Sequence, residues 1–199
     1  LLEHIDIKKL LFLDIETVPQ YSSFSQMPDK FKKLWEHKAQ FIQREEELSP
    51  EEKYHRAGIY AEFGKIVCIS VGYMANDKLR IKSFYSDNEK QLLTDFCQLL
   101  EQHFSTLPTY LCAHNGKEFD FPYIARRILI NALPLPALLD SSGKKPWEVT
   151  HLDTMELWKF GDFKSFTSLE LLAAVFDIPT PKDDISGADV GRVYWENHD

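Results

Sequence analysis

LLFLDIETVP, residues 10–19, sets four apolar side chains in a row and then two acids, Asp14 and Glu16, separated by one isoleucine. The unbroken apolar run suits a strand buried on both faces of a sheet, so a first strand is expected over residues 10–14. Side chains on a strand alternate, which projects Asp14 and Glu16 from one face and Ile15 from the other. Burying charge is costly, and two neighbouring carboxylates repel. The pair persists if each acid is capped or solvated, or if a divalent cation lies between them, since hard cations take carboxylate oxygen. A solvent-exposed strand edge explains the two acids equally well.

Working outward, residues 20–62 change character and become rich in Lys, Glu and Gln, with Phe31, Leu34, Trp35, Ala39 and Ile42 near helical spacing. Ser49, Pro50 and Glu52 form a capping-box pattern that opens a second helix. This stretch is expected to be a helical insertion. GKIVCISVGYM (64–74) and DKLRIKSFY (77–85) alternate around an Asn-Asp turn and read as a hairpin. DNEKQLLTDFCQLLEQHF gives an amphipathic helix begun by Asp87 or Asn88.

TYLCAHN (109–115) is a further buried strand, leading into a helix over FPYIARRILINAL with Pro122 in its first turn. A strand ending near Asp153 follows the polar loop 141–146. A helix over 167–176 is opened by a Thr167 to Glu170 capping box, and SGADVGRVYW (186–195) begins another. Three sheet strands followed by alternating helices and strands describe a mixed sheet with helices packed on it.

The chain of 199 residues is 44% hydrophobic, enough for one core and one sizeable insertion, so a single domain over 1–199 is expected. Its 31 acids against 23 Lys and Arg give a net charge of -8, which argues against a general polyanion binder. Cys68, Cys97 and Cys112 lack CxxC spacing and read as reduced core thiols. With no apolar run near the roughly 18 residues of a membrane span and a charged start, LLEHIDIKK, the chain reads as soluble and cytoplasmic. The first residue is Leu1 rather than Met, which suggests a piece of something longer.

In AHNGKEFDFPYIARR (113–127), Asp120 stands between Phe119 and Phe121 at a strand-to-helix junction. Helix capping accounts for the acid alone. It does not account for Asn115, Gly116, Phe119, Pro122 and Tyr123 arranged around it, with aromatic groups able to stack on bases.

DIET at 14–17 resembles the first motif of the DEDD 3′→5′ exonucleases. HNGKEFDFPYI at 114–124 resembles the second, in the version found in family B DNA polymerases and their stand-alone relatives. The resemblance extends more loosely over residues 61–73 and 151–195. It implies an α/β fold of the ribonuclease H-like class: a mixed five-stranded sheet flanked by helices, with the helical insertion between the first two strands.

It further implies hydrolysis at the 3′ end of single-stranded DNA, with Asp14, Glu16 and Asp120 as catalytic ligands of two Mg²⁺ or Mn²⁺ ions beside a fourth Asp. Two such ions about 4 Å apart clamp a phosphate, one acidifying water and the other stabilising the leaving oxygen. An acid cluster that first loads cations removes the objection raised by the net charge. By the same resemblance, Thr17 and Val18 meet the terminal nucleotide, and Asn115, Phe119 and Tyr123 line the strand path; Tyr123 reads equally well as a core residue. Lys117, Arg126, Arg127, Lys144, Lys145 and Lys164 are candidate phosphate contacts, the plainer reading of each being an ordinary surface charge. Asp153 is assigned a helix cap and no catalytic role.

The family's third motif, Tyr-x3-Asp or His-x4-Asp, is not found. Tyr194 is followed at the required spacing by His198, and Asp177, Asp183, Asp184, Asp189 and Asp199 have no Tyr or His at the required offset. The chain is expected to stop before that motif, leaving the fold with an incomplete metal site and little turnover. Two alternatives stand beside the DNA exonuclease: a non-catalytic nucleic-acid-binding module on the same fold, and a related 3′→5′ ribonuclease. No membrane association is expected, and protein partners are not legible.

Overall fold

In the computed structural model the described residues are 2–42, 47–105, 108–162, 164–179, 187 and 189–197. The chain divides into two compact units, Leu1–Ile15 with Cys68–Asp184, and Glu16–Val67 with Ile185–Asp199. Its strands are β1 (Leu10–Pro19), β2 (Gly64–Ala75), β3 (Lys78–Tyr85), β4 (Tyr110–Ala113) and β5 (Leu152–Asp153), in one sheet of order β3-β2-β1-β4-β5. The helices are α1 (Asp29–Ala39), α2 (Glu89–His103), α3 (Asp120–Ile130), α4 (Thr154–Lys159), α5 (Leu169–Val175) and α6 (Val190–Asn197). β2 and β3 are antiparallel, whereas β1 with β4 and β4 with β5 are parallel, so the sheet is mixed as expected.

In the first unit, Leu10, Leu11, Leu13 and Ile15 of β1 are buried, as are Leu111 and Cys112 of β4. β1 is longer than expected: it runs through both acids to Pro19. Phe12 is only half-buried and Asp14 is exposed, so β1 is not sealed on both faces. Asn76 and Asp77 both have positive φ (52° and 58°), the geometry a two-residue hairpin turn requires, and they join Ala75 to Lys78 in register. Asn88 caps α2 by accepting from the Gln91 N–H.

The apolar face of α2 buries Leu92, Leu93, Phe96, Leu99 and Leu100, and Phe84 of β3 meets Phe96 edge-on. α2 and α3 are also joined by a buried fork: Arg127 Nε donates to Glu89 Oε1 at 2.8 Å, and Arg127 Nη2 donates to Glu89 Oε2. The cap of α5 is Ser168, accepting from the Leu171 N–H, rather than Thr167, whose carbonyl faces the His114 ring.

The second unit has a core of its own. Trp35 and Ala39 on one face of α1 bury with Met27, Ile42, Tyr54, Ala57 and Phe63. The Trp35 ring meets Tyr54 and Phe63 edge-on at 5.7 and 5.2 Å, and its Nε1–H donates to the Pro50 carbonyl at 2.7 Å. The Ser49–Glu52 box forms, with the Ser49 N–H donating to Glu52 and the Glu52 N–H to Ser49 Oγ. The segment it opens, Glu52–Ile59, is a 3₁₀ helix and not an α-helix. The buried Lys53 ammonium donates to the Ala39 carbonyl at the end of α1 at 3.1 Å, beside the Ile42 N–H that the same oxygen accepts.

Gly58 lies against the main chain of Val18, where a Cβ would come within 3.0 Å of the Val18 carbonyl carbon. α6 closes on the same stretch: the Trp195 indole N–H donates to the Pro19 carbonyl at 3.1 Å, and the Lys65 ammonium donates to the Tyr194 hydroxyl at 2.7 Å. The three cysteines are free thiols. No helix among the described residues is long and apolar enough to cross a membrane.

Candidate active site

β1 carries Asp14, exposed, and two residues later Glu16, half-buried. Asp120 opens α3 and is 3% exposed. Its carboxylate is not spent as a helix cap; Oδ1 accepts from the main-chain N–H of Ile15 at 3.2 Å, beside Asp14. Burial, first, and the nearby negative charge of Asp14, second, push the Asp120 carboxyl up to about 7, against the main-chain N–H bonds that favour its charged form.

Asp153 ends β5, next to Ala113 of β4, and is buried. The expected cap is there: its carboxylate accepts from the N–H groups of Met155 and Glu156. The same carboxylate also accepts from the N–H of Asn115 at 2.9 Å and of Lys117 at 3.1 Å, which pins the turn leading to Asp120. Sequence reasoning missed this second task, because a bond across nearly forty positions leaves no local signal. Asn115 sits at φ 62°, a left-handed conformation that asparagine tolerates. Its side-chain Oδ1 is enclosed without a hydrogen-bond partner among the described residues.

Gly116 is required by contact, since a Cβ there would lie 2.4 Å from the Ala113 Cβ. His114 is held from both sides, Nε2 donating to the Thr167 carbonyl and Nδ1 facing the Thr154 hydroxyl.

The residues expected along the strand path divide. Phe119 is half-buried and stacks at a tilt on Tyr123, 5.3 Å between ring centres. Thr17 and Asn115 are half-buried. Val18 is 0% exposed and Tyr123 1%, so both side chains are committed to packing and present no face to a ligand; any contact from Val18 is through its main chain. Arg127 is removed from the phosphate contacts by its buried fork with Glu89. Lys117 pairs with Glu156 at 2.8 Å. Tyr194 is engaged by Lys65, and Asp189 by Arg192 at 3.3 Å, while Asp183, Asp184, His198 and Asp199 lie outside the described residues.

Asp14 and Asp120 offer the hard oxygen donors that Mg²⁺ or Mn²⁺ takes, and the raised Asp120 carboxyl marks negative charge that a cation would neutralise. The donor set therefore fits a divalent ion chemically. The expected three-acid cluster is not assembled, however: among the described residues no three His, Cys, Asp or Glu side chains are gathered closely enough to hold a metal.

The chain is 16% identical to the family B DNA polymerase of the hyperthermophilic archaeon Pyrobaculum calidifontis, with a TM-score of 0.51, over 94% of this chain and 21% of the polymerase. That likeness is one of fold, and the chain spans about a fifth of the polymerase's length. A zinc-bound complex of E. coli ExoI with ssDNA is fainter, at 11% identity and a TM-score of 0.49 over 91% of this chain and 38% of that one. No curated protein matches the chain. The profile of one family matches residues 59–199, a stretch that takes in the Asn115–Asp120 turn and Asp153. The chain belongs to that family, described as predicted 3′→5′ exonucleases related to the exonuclease domain of PolB.

Proposed function

We propose that the chain hydrolyses phosphodiester bonds at the 3′ end of single-stranded DNA, with Asp14, Glu16 and Asp120 holding two divalent cations, Mg²⁺ or Mn²⁺. The bond from the Ile15 N–H to Asp120 carries this reading, because it ties the acid of the second motif to the strand of the first. Strand alternation supports Glu16 as the companion of Asp14. When bound, such ions acidify water and stabilise the departing 3′ oxygen.

The chain's own groups then have separable tasks. Ile15 engages one oxygen of Asp120 and leaves the other for a ligand. Asp153 fixes the main chain of residues 115–117, which sets the approach to Asp120. The half-buried Phe119 ring offers a surface for a base. Thr17 supplies a hydroxyl at the terminal nucleotide.

A second reading, a non-catalytic strand-binding module, is favoured by the acids not being gathered among the described residues. A 5′-labelled single-stranded oligodeoxynucleotide, incubated with Mg²⁺ or Mn²⁺, separates the two. Catalysis predicts stepwise shortening from the 3′ end, however slow, abolished in Asp14→Ala with strand binding retained. No shortening by the wild-type protein, with Asp14→Ala changing only thermal stability, supports the binding module and overturns the nuclease. The same assay on an oligoribonucleotide distinguishes the ribonuclease alternative.

A further inference from the structure

The insertion helix α1 has two unlike faces. Trp35 and Ala39 are buried in the second unit's core. Lys30, Lys33, Leu34, His37 and Phe41 recur at spacings of three, four and seven, which lines them along the opposite side of the helix. Gln40 keeps helical geometry, so Phe41 continues that line one step past the helix end. All five residues are exposed, Leu34 at 50% and Phe41 at 67%, and the His37 and Phe41 rings lie 5.2 Å apart.

The two acids of α1, Asp29 and Glu36, fall to one side of this stripe, and Lys30 and Lys33 form no ion pair with a described residue. A chain with a net charge of -8 thus presents a stripe with cations, exposed apolar groups and no acid. Single exposed apolar side chains are ordinary on a protein surface, but here Leu34 and Phe41 lie in line with the two lysines on one helix face. Lysines interleaved with an exposed aromatic ring match what a single nucleic-acid strand needs: cations for its phosphates and a face for its bases.

The stripe is also mechanically tied to β1. Gly58 abuts Val18, the Tyr54 hydroxyl bonds the main chain of Tyr21, and Tyr54 packs on Trp35 beneath the stripe.

We infer that the solvent face of α1 is a docking surface for single-stranded DNA, with Lys30 and Lys33 on phosphates and Phe41 under a base. This rests on the proposed nucleic-acid function.

The test is fluorescence anisotropy with a labelled oligo(dT) 15-mer in EDTA, over a salt series, for wild type, Lys30→Gln/Lys33→Gln and Phe41→Ala. Circular dichroism checks that each variant is folded. We expect about tenfold weaker binding for the double variant, with the slope of log affinity against log salt reduced by about 1.4, since a single strand contributes about 0.7 per neutralised phosphate. Phe41→Ala should weaken binding about fivefold or more.

Wild-type binding with an unchanged affinity and slope in the double variant overturns the docking surface and leaves the exonuclease reading intact. No binding of oligo(dT) by wild type, together with no shortening of the 5′-labelled strand, overturns both. A poly-glutamate peptide that binds the stripe as tightly as oligo(dT) overturns the assignment to nucleic acid.

Discussion

The Ile15 N–H and the Asp120 carboxylate meet at 3.2 Å across 105 positions of sequence. That bond fixes the first residue of α3 on the strand that carries Asp14. It also leaves a buried acid beside another acid, which is an unfavourable arrangement in the absence of a cation.

Asp120→Asn keeps a carbonyl oxygen for Ile15 and removes the buried charge. The carboxyl is raised from 3.8 to about 7, so its cost to the fold grows as pH rises across that interval and is complete above it. In EDTA at pH 8 the variant should be more stable by roughly 1–2 kcal/mol in urea titrations, while hydrolysis of the oligonucleotide is lost. Equal or lower stability contradicts the buried-charge account.

His151 acts in the opposite direction. Its Nδ1 accepts from the Leu111 N–H and its Nε2 donates to the Leu138 carbonyl, which requires the neutral ring. Burial lowers its pKa below 6.5, assisted by Lys144 and Lys117 and opposed by the Leu138 carbonyl. The unfolded chain therefore binds a proton that the folded one resists, and this contribution is present above about pH 6.5 and lost as pH falls below it. In the Asp120→Asn background, where the opposing group is gone, Tm should fall between pH 7.5 and 5.5. Adding His151→Asn should flatten that slope.

Gly116→Ala forces a Cβ to within 2.4 Å of Ala113 Cβ and 2.9 Å of Phe121 Cζ. We expect a loss of about 1–3 kcal/mol by chemical denaturation, the usual range for overpacking. Hydrolysis should fall more than stability, because Asp120 precedes Phe121 directly.

Arg127→Met strips the partner from a buried carboxylate and should cost about 3–5 kcal/mol. Glu89→Gln/Arg127→Met should recover most of this in thermal denaturation. Oligo(dT) affinity of the folded double variant should be unchanged, since Arg127 faces the core and not the strand.

What was legible in the sequence was what local pattern encodes. The Asn76-Asp77 turn, the Asn88 cap and the apolar face of α2 follow from spacing alone, and the sheet class follows from the two exonuclease-like motifs. Long-range pairing was not legible. β1 continues past its acids to Pro19, with Asp14 exposed, which no propensity announces. Ser168 displaced Thr167 as a cap by one residue, and the Ser49 box opened a tighter helix than its pattern suggests. Arg127 resembled a phosphate contact until Glu89, 38 positions away, claimed it. Within the candidate site, the two motifs singled out Asp14, Glu16 and Asp120 as candidates; the bonds that orient Asp120 and the Asn115 turn were not legible, because Ile15 and Asp153 are remote in sequence.

The indole of Trp195 grips the Pro19 carbonyl, a hold across 176 positions. With the Lys65 ammonium over the rings of both Tyr194 and Trp195, the last described helix is anchored to the exit of the first strand. Displacing α6 would free the Pro19 carbonyl, two residues along the main chain from Thr17.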